Sequence, residues 1–507
     1  MEERYIAAVD LGSSKIALTV ARISGNDIQI QYYRETPSDG IRNSEVYNPQ
    51  KATEPIRKAI RDAEQELKIQ ILQAVVCLPR CEVRQENNSA KAQRSMPDEC
   101  ISSEEVEELK SLAQDAYPNI DSEKECLYGA VAQSFDCDDN FQVVENDIVG
   151  MVSHEFTGNF KLFIGKKRSV KTIDKVFNNL GIAIAKKYFT PDATAKAVLT
   201  SDEMESGVAL LDFGGGATSV TIYKGKILRH YACIPFGGKS ITCDIRNECT
   251  ISEELAENIK MAFGACMPDK LLNLSEKIIQ IEGEEGMRGP KQIPVQYLSE
   301  IITAREKEII DAMLYEIQMS GLADALRSGV VITGGGASLA NLASYLRECS
   351  GYNVRVGIPR PLFSADSSLP VRSTSAACSI GMILSAKAEP LLNCINPAPE
   401  EALSEDDPGR VEIDDVVDVV SVEEAVPQTL ETETAAEGPV AGEAVAEEPE
   451  KKEQGKEDAD GKDSEKKTGQ TGKHGGHRNR KPSMLTVTWL KLRGKLEDMY
   501  ENVGKEQ

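Results

Sequence analysis

Three glycine-rich turns stand in a fixed order along the chain, each directly after a run that reads as a β-strand. Tyr5-Ile-Ala-Ala-Val9 runs into Asp10-Leu-Gly-Ser-Ser-Lys-Ile16, and Gly207-Val-Ala-Leu-Leu211 runs into Asp212-Phe-Gly-Gly-Gly-Ala-Thr218. Gly329-Val-Val-Ile-Thr333 runs into Gly334-Gly-Gly-Ala-Ser-Leu339. Residues without a side chain let backbone N–H groups close on a phosphate. An Asp at the end of a buried strand is placed to hold a hydrated Mg²⁺ beside that phosphate. Two Asp-x-Gly turns about 200 residues apart in sequence therefore predict two half-domains gripping one nucleotide. A single Gly-Gly-Gly would indicate only a tight bend. Three such turns after strands, two of them led by Asp, constrain the chain to a nucleotide-binding α/β protein.

The 507 residues imply several domains. Twelve Cys are scattered without paired metal spacing, and reduced thiols are expected of them. Two of the four His fall in the low-complexity tail, which argues against a His-based metal site or triad. No apolar leader opens the sequence and no run reaches the ~18 apolar residues of a membrane span, so a cytosolic chain is expected.

Composition breaks near residue 398. Residues 399–482 carry 24 acidic and 11 basic residues and no aromatic one, over half of the whole chain's net charge of −24. Such a stretch cannot offset its ordering entropy by burial, so 398–483 is expected to be a disordered acidic linker, with a random-coil reach of roughly 50 Å. Beyond it, Leu485, Trp489, Leu492, Leu496, Met499 and Val503 recur every three or four residues, one face of a helix over 484–503. That face carries the only Trp of the chain, and Arg478, Arg480, Lys481, Lys491, Arg493 and Lys495 flank it. An apolar stripe with a Trp among cations suits the headgroup boundary of an anionic membrane. Docking on the globular body or on a partner protein are the alternatives. Gly494 weakens this helix by about 1 kcal/mol relative to Ala, so folding on binding is expected.

The body reads as strands at 5–9, 16–23 and 28–33, a helix near 51–67 and a strand at 72–78. A helix at 103–116 and strands near 126–135, 141–144 and 160–164 follow, and Ser102 to Glu105 forms a capping box. Then come a helix at 170–180 and a strand at 182–189. Two helices rich in small residues, at 190–198 and 373–382, can cross closely and read as a hinge between the halves.

The order Asp-x-Gly turn, small-residue helix, Asp-x-Gly-Gly-Gly turn, Gly-Gly-Gly turn, small-residue helix resembles the actin, sugar-kinase and heat-shock-chaperone ATPase superfamily. Within it, residues 5–395 resemble the bacterial division protein family FtsA. The matching pieces include Phe236-Gly-Gly-Lys-Ser-Ile-Thr-Cys-Asp-Ile245, Ala256-Glu-Asn-Ile-Lys-Met-Ala-Phe-Gly264, and Leu298 to Arg305 with Glu308-Ile. The resemblance implies an α/β, actin-like (ribonuclease H-like) two-lobed ATPase fold with an inserted α+β subdomain. In that scheme 1–84, 161–200 and 372–397 form subdomain 1A, and 85–160 the insertion 1C. Subdomain 2A takes 201–239 with 328–371, and 2B takes 240–327.

It further implies ATP with Mg²⁺ as cofactors. Asp10 and Asp212 would order the metal through water. Gly12, Ser13, Ser14 and Lys15 would wrap one side of the phosphates, and Gly214, Gly215, Gly216 and Thr218 the other. Glu257 and Lys260 would face the ribose and adenine, although an ordinary i,i+3 surface pair is the plain alternative. Gly334, Gly335, Gly336 and Ser338 would shape the adenosine floor. Relatives place Glu or Gln before the Pro of the first small-residue helix to orient a water. Here Thr190 stands there, with Asp192 two residues on, so slow or negligible ATPase activity is expected and both are weak catalytic candidates. The implied role is a membrane adaptor that tethers FtsZ filaments to the cytoplasmic face of the inner membrane and assembles in actin-like filaments. Arg305 would contact the FtsZ C-terminal peptide, unless it bridges internally to Glu308 or Glu300. Later division proteins would meet 85–160, and no nucleic-acid partner is expected. A pilus-assembly adaptor or a small-molecule kinase of the same superfamily are the alternatives.

Overall fold

The computed structural model describes residues 3–138, 140–281 and 290–397. The expected linker and the terminal stripe from Leu485 to Val503 lie outside the described residues.

Two sheets repeat one plan. In the first, Arg4–Leu11, Lys15–Ser24 and Asp27–Pro37 form an antiparallel meander, and Gln73–Cys77 and then Ala183–Tyr188 add on parallel to the first strand. In the second, Val208–Phe213, Thr218–Lys224 and Ile227–Ile234 form the meander, and Val330–Thr333 and Val354–Val356 add on parallel. The first strand of each meander is apolar almost throughout, because helices cover both faces of its sheet. The repeat extends to register: Asp10 pairs with Ala17, and Asp212 with Ser219, each next to the hairpin turn. Each sheet has its own core, the first built around Ile6, Leu18, Ile56 and Ile380, the second around Leu211, Ile222, Ile302 and Ile332. These are the two lobes.

A third core belongs to the insertion. The helix Ser103–Asp115 packs Val106 and Leu109 with Phe135, Phe156 and Phe160 of a four-stranded antiparallel sheet. Its capping box forms as the sequence indicates: Ser102 Oγ accepts from the Glu105 N–H at 3.2 Å, and the Glu105 carboxylate accepts from the Ser102 N–H at 2.9 Å. The sheet's edge strand Arg84–Gln93 is absent from the sequence reading. It is polar, with only Ala90 buried, because an edge strand takes its stability from the ladder to Glu155–Lys166 rather than from burial.

The helices Thr190–Val198 and Ala377–Ala386 cross face to face, as their small residues suggest. A Cβ on Gly381 would collide with the Ala193 carbonyl. The second small-residue helix begins later than the sequence predicts, since residues 374–376 form a tighter turn first. No described helix is long and apolar enough to cross a membrane.

Candidate functional site

The two Asp-led hairpin turns meet across a cavity of about 450 Å³. Asp10, Gly12, Ser13, Ser14 and Lys15 line it from the first lobe, and Asp212, Gly214, Gly215 and Gly216 from the second. The turns approach so closely that a Cβ on Gly216 would sit 2.7 Å from Ser13 Oγ. Gly334, Gly335, Gly336 and Ser338 enter after the strand beside Asp212. Gly334 has φ +88°, and a Cβ there would meet the Phe213 carbonyl oxygen at 2.5 Å, so both conformation and space require glycine.

Thr218 departs from the sequence expectation. It is fully buried at the start of its strand, does not line the cavity, and its hydroxyl donates to the Phe236 carbonyl at 2.8 Å. Lys15 lines the cavity, but its ammonium is ion-paired with Glu35. Glu35 is also held by donation from Tyr33 at 2.5 Å and Ser375 at 2.9 Å. Burial works against its charge, yet these donors keep its carboxyl below the usual range.

Asp10 titrates above its ordinary range because burial strips water from it; Arg80 and Lys15 oppose that rise, and Asp212 adds to it. Arg80 escaped the sequence reading. It follows the strand Gln73–Cys77, beside Asp10's own strand, and its guanidinium donates to Asp212 Oδ2 at 2.5 Å. A charged residue just past the carboxyl end of an interior parallel strand was the available signal. Asp212 Oδ1 is buried without a partner. Among the described residues no cluster of three or more His, Cys, Asp or Glu gathers for a metal. Two carboxylates, one with a free oxygen aimed among glycine turns, nevertheless fit a Mg²⁺ that keeps most of its water.

Glu257 and Lys260 line the cavity as a network rather than as a plain surface pair. Lys260 Nζ donates to Glu257 at 2.7 Å, to the Thr242 hydroxyl at 2.8 Å and to the Gly238 carbonyl at 2.9 Å. Beyond them lies Glu306, 2% exposed, lining the cavity with its Oε2 unpartnered. Burial pushes its carboxyl up to about 8, against the pull of Lys260. Within Arg305-Glu306-Lys307-Glu308 it reads as part of a solvated charge run. The missed signal was its place on the apolar stripe of Leu298, Ile302, Ile309 and Met313.

Neither candidate for water activation lines this cavity. Thr190 is buried and donates its hydroxyl to the Leu78 carbonyl at 2.6 Å. Asp192 pairs with Lys196 at 2.8 Å and accepts from Tyr223 at 3.2 Å. Arg305 is already forked onto a carboxylate of its own chain: Nε and Nη2 donate to Asp244 at 2.6 and 3.0 Å, and Nη1 to Glu308 at 2.6 Å.

A family profile described as "Cell division protein FtsA" matches residues 209–381, which include the second and third glycine turns. The chain is 28% identical over 384 residues to the Cell division protein FtsA of Neisseria meningitidis serogroup B, covering 75% of this chain and 90% of that protein. It is 28% identical over 360 residues to the FtsA of Borreliella burgdorferi, covering 71% and 86%. Among solved structures, the PilM–PilN type IV pilus biogenesis complex matches with a TM-score of 0.53 at 14% identity, covering 75% of this chain and 98% of that one, a likeness of fold alone. The two lobes with their inserted subdomain form an actin-like fold.

Proposed function

This chain is a relative of the FtsA proteins in sequence and shares the two-lobed actin-like fold; from that premise we propose that it is an ATP-binding adaptor of bacterial cell division. It tethers FtsZ filaments to the cytoplasmic face of the inner membrane at the division site. The observation that carries the reading is the cavity where two equivalent Asp-led glycine turns face each other, one from each lobe.

In this reading Gly12–Ser14 and Gly214–Gly216 would hold the triphosphate between them. Asp10 and Asp212 would hold a hydrated Mg²⁺, whose charge would offset that of the phosphates. Arg80 is the resident counter-ion of Asp212. Gly334–Gly336 and Ser338 support the nucleoside, and the Lys260–Glu257–Thr242 network fixes the ribose side. Thr190 and Asp192, the two candidates to orient a water, are both engaged outside the cavity, which supports slow turnover and a structural role for ATP.

The insertion with its separate core offers later division proteins an independent surface, and assembly into actin-like filaments multiplies weak contacts. The stripe from Leu485 to Val503 anchors the protein. Burying its apolar residues at roughly 1.5–3 kcal/mol each gives a gross near 10 kcal/mol, which helix folding reduces. Firm attachment therefore requires several tails acting together. FtsZ peptide contact through Arg305 requires that Arg305 first release Asp244. Sequence similarity along 384 residues favours division over the pilus-assembly and kinase readings.

Purified protein should bring purified FtsZ to anionic liposomes in the presence of ATP and Mg²⁺. Removing residues 484–507, or Trp489→Glu, should abolish this while leaving ATP binding intact. A Trp489→Glu variant that still pellets with liposomes would sink the anchor, and a protein that never recruits FtsZ would sink the adaptor reading.

A further inference from the structure

The second lobe's sheet ends on the strand Ile227–Ile234. An edge strand presents unpaired backbone groups, and here side chains of the insertion take them up. Gln133, on the insertion's strand Glu125–Cys137, donates from Nε2 to the Leu228 carbonyl at 3.0 Å, and Lys161 donates from Nζ to the Arg229 carbonyl. Gln85 accepts the Tyr231 N–H at 2.9 Å, and Arg229 returns Nη1 to the Gln133 carbonyl at 3.2 Å. Three of the insertion's four strands thus hold one strand of the other lobe. The insertion itself is fixed to the first lobe. Its strand Glu155–Lys166 runs directly into the helix Lys167–Leu180, whose Ile173, Val176 and Phe177 lie in the first lobe's core. The held strand, in turn, shares its sheet with Val208–Phe213, which carries Asp212. It also reaches the cavity by a second route: Tyr231 donates its hydroxyl to the Arg80 carbonyl at 2.7 Å, and Arg80 is the partner of Asp212.

We propose that the insertion is a clasp between the lobes: its polar side chains hold the strand Ile227–Ile234, keep the two Asp-led turns closed on the nucleotide, and must let go before the nucleotide leaves. The inference rests on the nucleotide reading of the cavity. Parting the turns requires the sheet that bears Asp212 to move against the sheet that bears Asp10. The contacts made by Gln85, Gln133 and Lys161 cross that division, so the motion has to break them. Their chemistry suits a joint that opens and recloses. A dry apolar seam would resist water entry, whereas a hydrogen bond broken here is exchanged for one to solvent and leaves only a small net margin on the closed side. The contacts are also side chain to backbone, so they depend on where the strand lies and not on which residues it carries.

The test is the exit of a fluorescent ATP analogue from the full chain with Mg²⁺, followed by stopped flow after a chase of excess ATP. Gln85→Ala combined with Gln133→Ala removes the side chains that hold Tyr231 and Leu228, and should speed exit roughly tenfold. Asn88→Ala is the control. Asn88 lies on the same strand as Gln85 but donates within the insertion, to the Ala113 carbonyl at 2.6 Å, and its loss should leave exit unchanged. Locking the clasp should do the reverse. Cys81 of the first lobe faces Cys233 of the held strand at 3.2 Å. Protein cross-linked there by prolonged diamide treatment at pH 8.5 should release the analogue several-fold more slowly, an effect that dithiothreitol reverses and Cys81→Ser lacks. Exit that is unchanged in the double variant, equally fast in Asn88→Ala, or no slower in the cross-linked protein would overturn this inference alone. Wild type that binds no analogue would overturn the nucleotide reading and the inference with it.

Discussion

Gly381→Ala is the sharpest test of how closely the two small-residue helices must cross. Gly381 sits in the helix Ala377–Ala386 where it crosses Thr190–Val198, and both helices are almost wholly buried. A Cβ added there would overlap the Ala193 carbonyl oxygen and come within 3.1 Å of Thr194 N, both of them backbone atoms that cannot rotate away. Relieving the overlap requires the helices to part by about 1 Å, and overpacking of this kind costs about 1–3 kcal/mol or more. Ala improves helix propensity over Gly by up to about 1 kcal/mol, which offsets only part of that cost. The same helix starts beside the cavity, with Ala377 and Cys378 in its lining, so the displacement reaches the site. Thermal melting should fall by roughly 2–6 °C, and ATP affinity should fall with it. Gly129→Ala is the control: nothing lies within 4 Å of its added Cβ, and it should melt like the parent. A Gly381→Ala protein that melts within a degree of the parent and binds ATP equally would refute the reasoning.

Arg80→Met leaves Asp10 and Asp212 facing each other without their guanidinium and should destabilise the nucleotide-free protein by about 3–5 kcal/mol. Added Mg²⁺ should recover part of this in thermal melts, and an unchanged melt without Mg²⁺ dependence would refute the pairing. Folded protein holds a proton on Glu306 that the unfolded chain has lost above about pH 4.5, so stability falls by about 1.4 kcal/mol per pH unit from there to about pH 8. Glu306→Gln should therefore gain roughly 3 kcal/mol over the parent at pH 7 and almost nothing at pH 4, whereas a gain that does not vary with pH would exclude a buried proton. Cys81 and Cys233 face each other at 3.2 Å, yet Cys233 and burial push the Cys81 thiol well up; with so little thiolate, the pair should cross-link only slowly with diamide at pH 7, as read on non-reducing gels. Asp244→Asn frees the fork of Arg305 and should tighten binding of an FtsZ C-terminal peptide in fluorescence anisotropy, and unchanged affinity would remove Arg305 from that contact.

Much of the fold is legible in sequence because it depends on local constraints. Strands buried on both faces must be apolar throughout, and turns that approach another backbone must be glycine, so Tyr5–Val9 with its Asp-x-Gly turn and Val330–Thr333 with Gly334–Gly336 announce themselves. The capping box at Ser102 and the small residues of the crossing helices are equally local. What the sequence could not reveal is set by neighbours distant along the chain. Arg84–Gln93 is a strand only because Glu155–Lys166 offers it a ladder. Thr218 looks like a phosphate ligand until the Phe236 carbonyl claims its hydroxyl, and Arg305 like a free fork until Asp244 occupies it. Arg80 and Glu306 join the site from segments that carry no glycine motif. Backbone conformation and burial periodicity are encoded residue by residue, so sequence determined the elements and their turns. The partner of each polar group, and with it the charge and chemistry of the cavity, depends on which segments meet in space, and that only the tertiary structure decided.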